Sequence, residues 1–357
     1  MKTKKLTRDE LLGDAVKEMA GTMETVFDFA AYANEHIFNK LSETSDYGFY
    51  YSPYGYFFRH VKWGGINELG FRINQDWTDL RENRANYVII NVYGGSTAFD
   101  IMVPEESTFC ALLQKKLNAD NALRSVAKKP FRVVNLGQPG NMLLNQVFNH
   151  ILFGAQLEPR FVICHNPVND FATSQNNDPK LVSKYNFNYC DILETWARKL
   201  HSAEHIDIDY LHVDPKRDDF SPARVRTSKY AILKAYHYRV RQFCQLVGAS
   251  GATFINGFQP WITAKKDWSA NEQRSFMTYR PYYKHIYANV PEMYVDYLYG
   301  ELFPDKPGLF VNFHEIFAEL SPEIDHFADI CHLLPAGNEV VAAEYYAAIK
   351  RTLGDAP

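Results

Sequence analysis

Short β-branched runs alternate with helix-length segments along most of this chain, and that alternation limits the folds open to it. Strand-like runs fall at residues 87–93, 131–135, 160–165, 252–258 and 308–312. Helical apolar spacing fills residues 105–118, 141–155, 179–204, 221–248, 270–288 and 337–352. Strands separated by such segments pair in parallel, because a parallel pair needs a long crossover and a helix supplies it. The helices then cover both faces of the sheet, which predicts an α/β architecture. Functional groups in such sheets collect where strands end at their carboxyl side.

Several chemistry-bearing residues sit at those ends. Ser96 follows the first run in Val92-Tyr93-Gly94-Gly95-Ser96-Thr97. Asn135-Leu136-Gly137-Gln138-Pro139-Gly140 follows the second, and Asn166-Pro167-Val168-Asn169-Asp170 follows the third. Asp329-Ile330-Cys331-His332 stands just before the last helix. A serine hydroxyl is a weak nucleophile at neutral pH and needs a base with a suitable pKa, for which histidine is suited. A carboxylate three residues before that histidine can fix its tautomer and stabilise the imidazolium that forms. An oxyanion needs donors placed in advance. The backbone N–H groups of Ser96 and Gly140 and the Asn169 carboxamide are candidates. Together these are the parts of an acyl-transfer site, with Ser96, His332 and Asp329 as its candidate catalytic residues. Each motif alone is ordinary turn chemistry; their order and placement carry the reading.

Composition excludes some other classes. A net charge of −4 gives no footprint for nucleic acid or anionic membranes. No apolar stretch reaches the roughly 18 residues that a bilayer span requires. The basic start, Met1 to Arg8, is not followed by an apolar secretory core. A cytoplasmic protein with no membrane span is the expectation. The five cysteines include no C-x-x-C pair, so reduced thiols are expected. His201 and His205 share a helical spacing without a third ligand, so no metal or other cofactor is expected. The sequence sets no oligomeric state.

In order, the four blocks resemble those of the SGNH/GDSL hydrolases, a superfamily of serine esterases and acyl hydrolases. Gly94-Gly95-Ser96 resembles the G-D-S block, with Gly95 where the family has aspartate. Asn135-x-Gly137-x-x-Gly140 is similar to the second block. Pro167-Val168-Asn169-Asp170 resembles G-x-N-D, with Pro167 in place of glycine. Asp329-x-x-His332-Leu333 resembles the D-x-x-H-L block. The resemblance covers about residues 86–350. It implies a flavodoxin-like three-layer α/β/α sandwich with a five-stranded parallel sheet. It also implies a Ser-His-Asp triad without metal and an oxyanion hole from Ser96, Gly140 and Asn169.

The family core is shorter than this chain. Residues 1–85 are expected to form an N-terminal helical and aromatic extension packed on the core. Residues 86–357 form the hydrolase-like domain, with an insertion at about 171–325. Gln259, Trp261 and His326 are candidate substrate-binding residues at the cleft edge. Tyr279, Tyr282, Tyr283, Tyr287, Tyr294, Tyr297 and Tyr299 suit either stacking on sugar rings or packing of a helical cap. The resulting expectation is an esterase acting on a small or carbohydrate ester, an O-deacetylase in the preferred form. An O-acyltransferase with the same triad and a non-catalytic binding protein on the same fold are the alternatives.

Overall fold

Every strand-like run of the sequence enters one sheet. The computed structural model describes residues 49–52, 55–58, 65–100, 102–174, 229–277 and 308–354. Its main strands are β1 (Val88–Gly94), β2 (Phe131–Asn135), β3 (Phe161–Asn166), β4 (Thr253–Phe258) and β5 (Leu309–Asn312). All neighbouring pairs are parallel, in the order β2-β1-β3-β4-β5. This is the flavodoxin-like order, and its reversal of direction falls at β1, between β2 and β3.

Helices follow from the same patterning. They include α1 (Trp77–Glu82), α2 (Ser96–Phe99), α3 (Phe109–Ala119), α4 (Leu143–Leu152), α5 (Val168–Ser174), α6 (Lys229–Ala249), α7 (Phe313–Ala318) and α8 (Pro335–Gly354), besides short helices at Asn121–Ala127 and at 270–277. Successive strand residues point to opposite faces, and the aromatic contacts show both layers. Tyr93 of β1 meets His150 of α4 and Phe243 of α6 on one face. His165 of β3 meets Phe109 of α3 and Tyr345 of α8 on the other. Burial on both faces explains why β3 has no exposed residue.

Expected boundaries shift where capping chemistry decides them. The helix expected from residue 105 begins at Phe109, because the Thr108 hydroxyl accepts the Ala111 N–H at 3.1 Å. Residues 105–107 form a separate 3-10 turn. The expected helix at 179–204 lies outside the described residues, as do residues 1–48 of the expected N-terminal extension.

Within the expected N-terminal extension, Phe49–Ser52 and Gly55–Phe58 pair as an antiparallel hairpin. Phe71, Ile73, Trp77 and Leu80 belong to the same buried core as the sheet. The span 171–325, expected as an insertion, contains β4 and β5. The additional chain is therefore interleaved with core strands. Cys110, Cys164, Cys244 and Cys331 form no disulfide; Cys190 lies outside the described residues. No helix among the described residues is long and apolar enough to cross a membrane.

Candidate active site

The end of β1 sets a serine in a tight turn. Ser96 is the first residue of α2 and half-buried, while Thr97, Ala98 and Phe99 turn inward. The turn stops after four residues because Asp100 adopts the left-handed conformation, with φ of 67°. The Asp100 N–H donates to the Ser96 carbonyl at 2.8 Å. Below it, the buried Arg72 guanidinium donates to the carbonyls of Phe99 (3.1 Å), Val103 (2.7 Å) and Asp100. One planar fork thus satisfies three carbonyls that the short turn leaves open.

The Asp100 carboxylate turns the other way. It accepts the Phe109 N–H at 2.8 Å and the Asn338 amide at 2.9 Å, joining α2 to α3 and α8. Burial pushes its pKa up to about 7, against the opposing pull of those hydrogen bonds and of Arg72.

Asp329 and His332 come from the loop before α8. The Asp329 Oδ1 accepts the N–H groups of Cys331 and His332, each at 2.8 Å. Its Oδ2 lies 2.6 Å from His332 Nδ1. The opposite ring nitrogen, Nε2, lies 2.7 Å from Ser96 Oγ. Burial disfavours the imidazolium, but the adjoining Asp329 carboxylate outweighs it and holds the His332 pKa well above the usual histidine value. Burial likewise opposes the Asp329 anion, yet His332 and the two backbone donors keep its carboxyl below the usual range. The loop is fixed by its own ladder: Ala328 N–H to His332 O and Leu334 N–H to His326 O, both 2.9 Å.

Two further loops approach the serine. After β2, the Asn135 amide donates to the Ala98 carbonyl at 2.8 Å, and the Gln138 N–H to the Gly94 carbonyl at 3.1 Å. This lays the loop along the nucleophile turn. Gly140 has φ of 71°, a conformation that disfavours a side chain. After β3, the Asn169 carboxamide reaches the same place, its Nδ2 donating to the Asn141 carbonyl at 3.0 Å. Among the described residues the N–H groups of Ser96 and Gly140 donate to no acceptor. The peptide bond before Pro167, where the family has glycine, is cis.

Three expected cleft residues take other places. Gln259 is buried, not at a cleft edge: its Nε2 donates to Thr97 Oγ1 at 3.0 Å and its Oε1 accepts the Val168 N–H at 3.2 Å. It ties the nucleophile turn to the start of α5. Trp261 is fully buried against Phe171, Phe258 and His314. His326 is buried too, with Nδ1 3.2 Å from Lys265 Nζ, inside a polar cluster that also holds Glu272. An aromatic or amide after a strand resembles a cleft residue in sequence, and only packing distinguishes the two. His201, His205 and the tyrosines of 279–299 lie outside the described residues.

Sequence reasoning passed over Arg72, Asp100 and the role of Asn338. Arg72 acts from far upstream and belongs to no motif. Asn338 lies just past the Asp329-x-x-His332-Leu333 block, and its partner Asp100 is 238 residues away. Among the described residues, one set of metal-ligating groups gathers: Asp329, Cys331 and His332, with ligand atoms within 4.8 Å of one another. Within it, the hydrogen bond to Asp329 already engages His332 Nδ1.

No family model matches the chain, and no curated protein does. Among solved structures it is similar to TesA, at 13% identity and a TM-score of 0.39, over 74% of this chain and 98% of that one. It is similar to the acetyl xylan esterase AlAXEase at 14% identity and a TM-score of 0.39, over 73% of this chain and 100% of that one. A lipolytic protein of the G-D-S-L family from Desulfitobacterium hafniense DCB-2 is 9% identical with a TM-score of 0.38, over 73% of this chain and 98% of that one.

Proposed function

We propose that this protein is a serine hydrolase of the SGNH/GDSL type that cleaves small acyl esters through an acyl-serine. One observation carries the reading: His332 bridges Ser96 Oγ at 2.7 Å and Asp329 Oδ2 at 2.6 Å, one partner on each ring nitrogen. That is the relation a hydroxyl nucleophile needs with its base, and a base with its orienting carboxylate.

In this reading His332 Nε2 takes the Ser96 proton as Oγ attacks the ester carbonyl. The carbonyl π pair moves to oxygen. The N–H groups of Ser96 and Gly140 and the Asn169 amide receive that oxyanion. The pair returns, the C–O bond to the alcohol breaks, and His332 gives its proton to the leaving oxygen. Water then repeats the sequence, losing its proton to His332, and releases the acid and free Ser96. Asp329 keeps the ring oriented and stays ionised throughout.

A carbohydrate O-acetyl group remains the proposed natural substrate class, resting on the family resemblance. Gln259 and Trp261 no longer support it, since both are buried. The test is turnover of 4-nitrophenyl acetate and labelling by a fluorophosphonate probe, each in wild type and Ser96→Ala. Loss of both in the variant is expected. Equal turnover in the two proteins would dismiss the assignment. Product analysis with an acetylated sugar checks the finer reading, and transfer of acetyl to an acceptor sugar without free acetate would replace hydrolysis by acyl transfer.

A further inference from the structure

We infer that Gly95 is a positioning residue for Asn169, and that its missing side chain is the space in which the Asn169 carboxamide stands. The inference rests on the proposed acyl-transfer reading of the site. A Cβ built on Gly95 would lie 2.2 Å from Asn169 Nδ2 and 3.4 Å from Asn169 Cγ. Its next neighbour, the Asn141 carbonyl, would be 3.6 Å away, an ordinary contact. The one close approach that a Cβ at position 95 makes is therefore to the Asn169 amide.

The φ of Gly95, −88°, is not in the left-handed range that calls for glycine. The space around it gives a reason of its own. The atom in the way is the movable end of a side chain, so a methyl group at position 95 can be accommodated by turning Asn169 aside. That breaks the 3.0 Å bond from Asn169 to the Asn141 carbonyl and withdraws the donor from the oxyanion. The resembled blocks place aspartate at this position with the same asparagine, so what is particular to this chain is how closely Asn169 Nδ2 approaches position 95. Restoring the family residue with Gly95→Asp is expected to harm this enzyme.

The experiment is a double-mutant cycle with Gly95→Ala and Asn169→Ala, read by kcat and KM on 4-nitrophenyl acetate. Gly95→Ala is expected to lower kcat by about 10- to 100-fold, a fraction of the loss from deleting an oxyanion donor, with KM little changed. In the Asn169→Ala background the same substitution is expected to cost less than about twofold, because the obstruction is gone. An equal loss in both backgrounds, or no loss in either, overturns the inference. Misfolding of Gly95→Ala that persists in the double variant also overturns it, since Asn169 is then not what the methyl meets. A readout independent of turnover separates this inference from the proposed function. The Asn169 side-chain amide signals in a ¹⁵N–¹H spectrum, assigned by their absence in Asn169→Ala, should move in Gly95→Ala. Unmoved signals overturn the positioning role even in a protein that hydrolyses nothing.

Discussion

Asp329 holds His332 by two bonds at once, Oδ2 on the ring nitrogen at 2.6 Å and Oδ1 on the His332 backbone N–H at 2.8 Å, and Oδ1 also accepts the Cys331 N–H at 2.8 Å. The imidazole is thereby fixed in place and its charged form favoured, which raises its pKa. In the proposed role of base, His332 works only when neutral. The value of kcat/KM should therefore rise with pH along a limb that lies above the ordinary histidine value of about 6.5. Asp329→Asn should move that limb to lower pH and lower kcat by about 10³- to 10⁴-fold. A pH–rate profile of both proteins checks this. A limb that stays in place in the variant would remove Asp329 from the role. The same shift has a stability sign. A raised histidine pKa stabilises the fold fully below the unfolded value, and that contribution is lost as pH rises through the folded one.

The proposed oxyanion donors carry a second prediction. Asn169→Ala should lower kcat by roughly 10²- to 10³-fold and leave KM nearly unchanged, since the carboxamide acts on charge that develops only in the transition state. Gly140→Ala should lose about 1 kcal/mol of stability in urea denaturation, because the left-handed conformation at φ of 71° penalises a Cβ. If Asn169→Ala raised KM alone, ordinary substrate binding would be its role instead.

Arg72 yields a third. Its guanidinium satisfies the carbonyls of Phe99, Asp100 and Val103 beneath the serine turn. Arg72→Met removes these bonds, at about 1–3 kcal/mol for each buried group left unsatisfied, while the Asp100 carbonyl keeps the Val103 N–H at 3.4 Å. Arg72→Lys keeps the charge but loses the planar fork, so it should recover only part of the loss. Denaturation midpoints of the three proteins measure the order, which should be wild type, Arg72→Lys, Arg72→Met. Equal stability of the lysine variant and wild type would show that charge alone suffices.

The sheet and the acid–base pair were legible because both are written in local signals. Each β-branched run of the sequence became a strand to within a residue or so, since burial on both faces of the inner strands demands apolar residues throughout. Asp329 and His332 sit in one turn, so their spacing already implied their contact. Arg72 and Asp100 were not legible. Their partners lie 27 to 31 residues away for Arg72 and 238 for the Asp100–Asn338 pair. No periodicity encodes such distances. Gln259 and Trp261 were misplaced for a related reason. A strand end was recognised, but the neighbouring turn that accepts the Gln259 amide belongs to Thr97, in another part of the chain.

Asp100 should reveal itself in the pH dependence of stability. Burial raises its pKa to about 7 from the usual carboxylate range, so the folded state retains a proton that the unfolded state has released. Between about pH 4 and 7 the unfolded chain therefore binds fewer protons, and this group's contribution to stability falls as pH rises. Asp100→Asn removes the titration and also one of the two acceptors used by Phe109 and Asn338. The variant starts with a deficit at pH 5, and the Tm gap to wild type should narrow or reverse by pH 8. A gap that stays constant from pH 5 to pH 8 would show that Asp100 is ionised throughout.

Lys265 and Glu272 form an ion pair at 2.7 Å with both side chains fully buried. Replacing such a pair by apolar residues is often harmless elsewhere, because desolvation offsets the attraction. Here the surroundings make it otherwise. Glu272 also accepts the N–H groups of Ser269, His326 and Phe327, at 2.9, 2.9 and 3.2 Å. Lys265 also donates to the carbonyls of Ser321 and Ile324, at 3.2 and 3.3 Å. These bonds fasten the segment that leads into Asp329 and His332. Glu272→Gln strands the lysine charge and should cost about 3–5 kcal/mol. The double change Lys265→Met, Glu272→Leu should give no rescue, because it leaves those backbone groups without partners. Urea denaturation of the single and double variants tests this. Recovery of wild-type stability in the double variant would mean that the pair contributes nothing beyond its own charges.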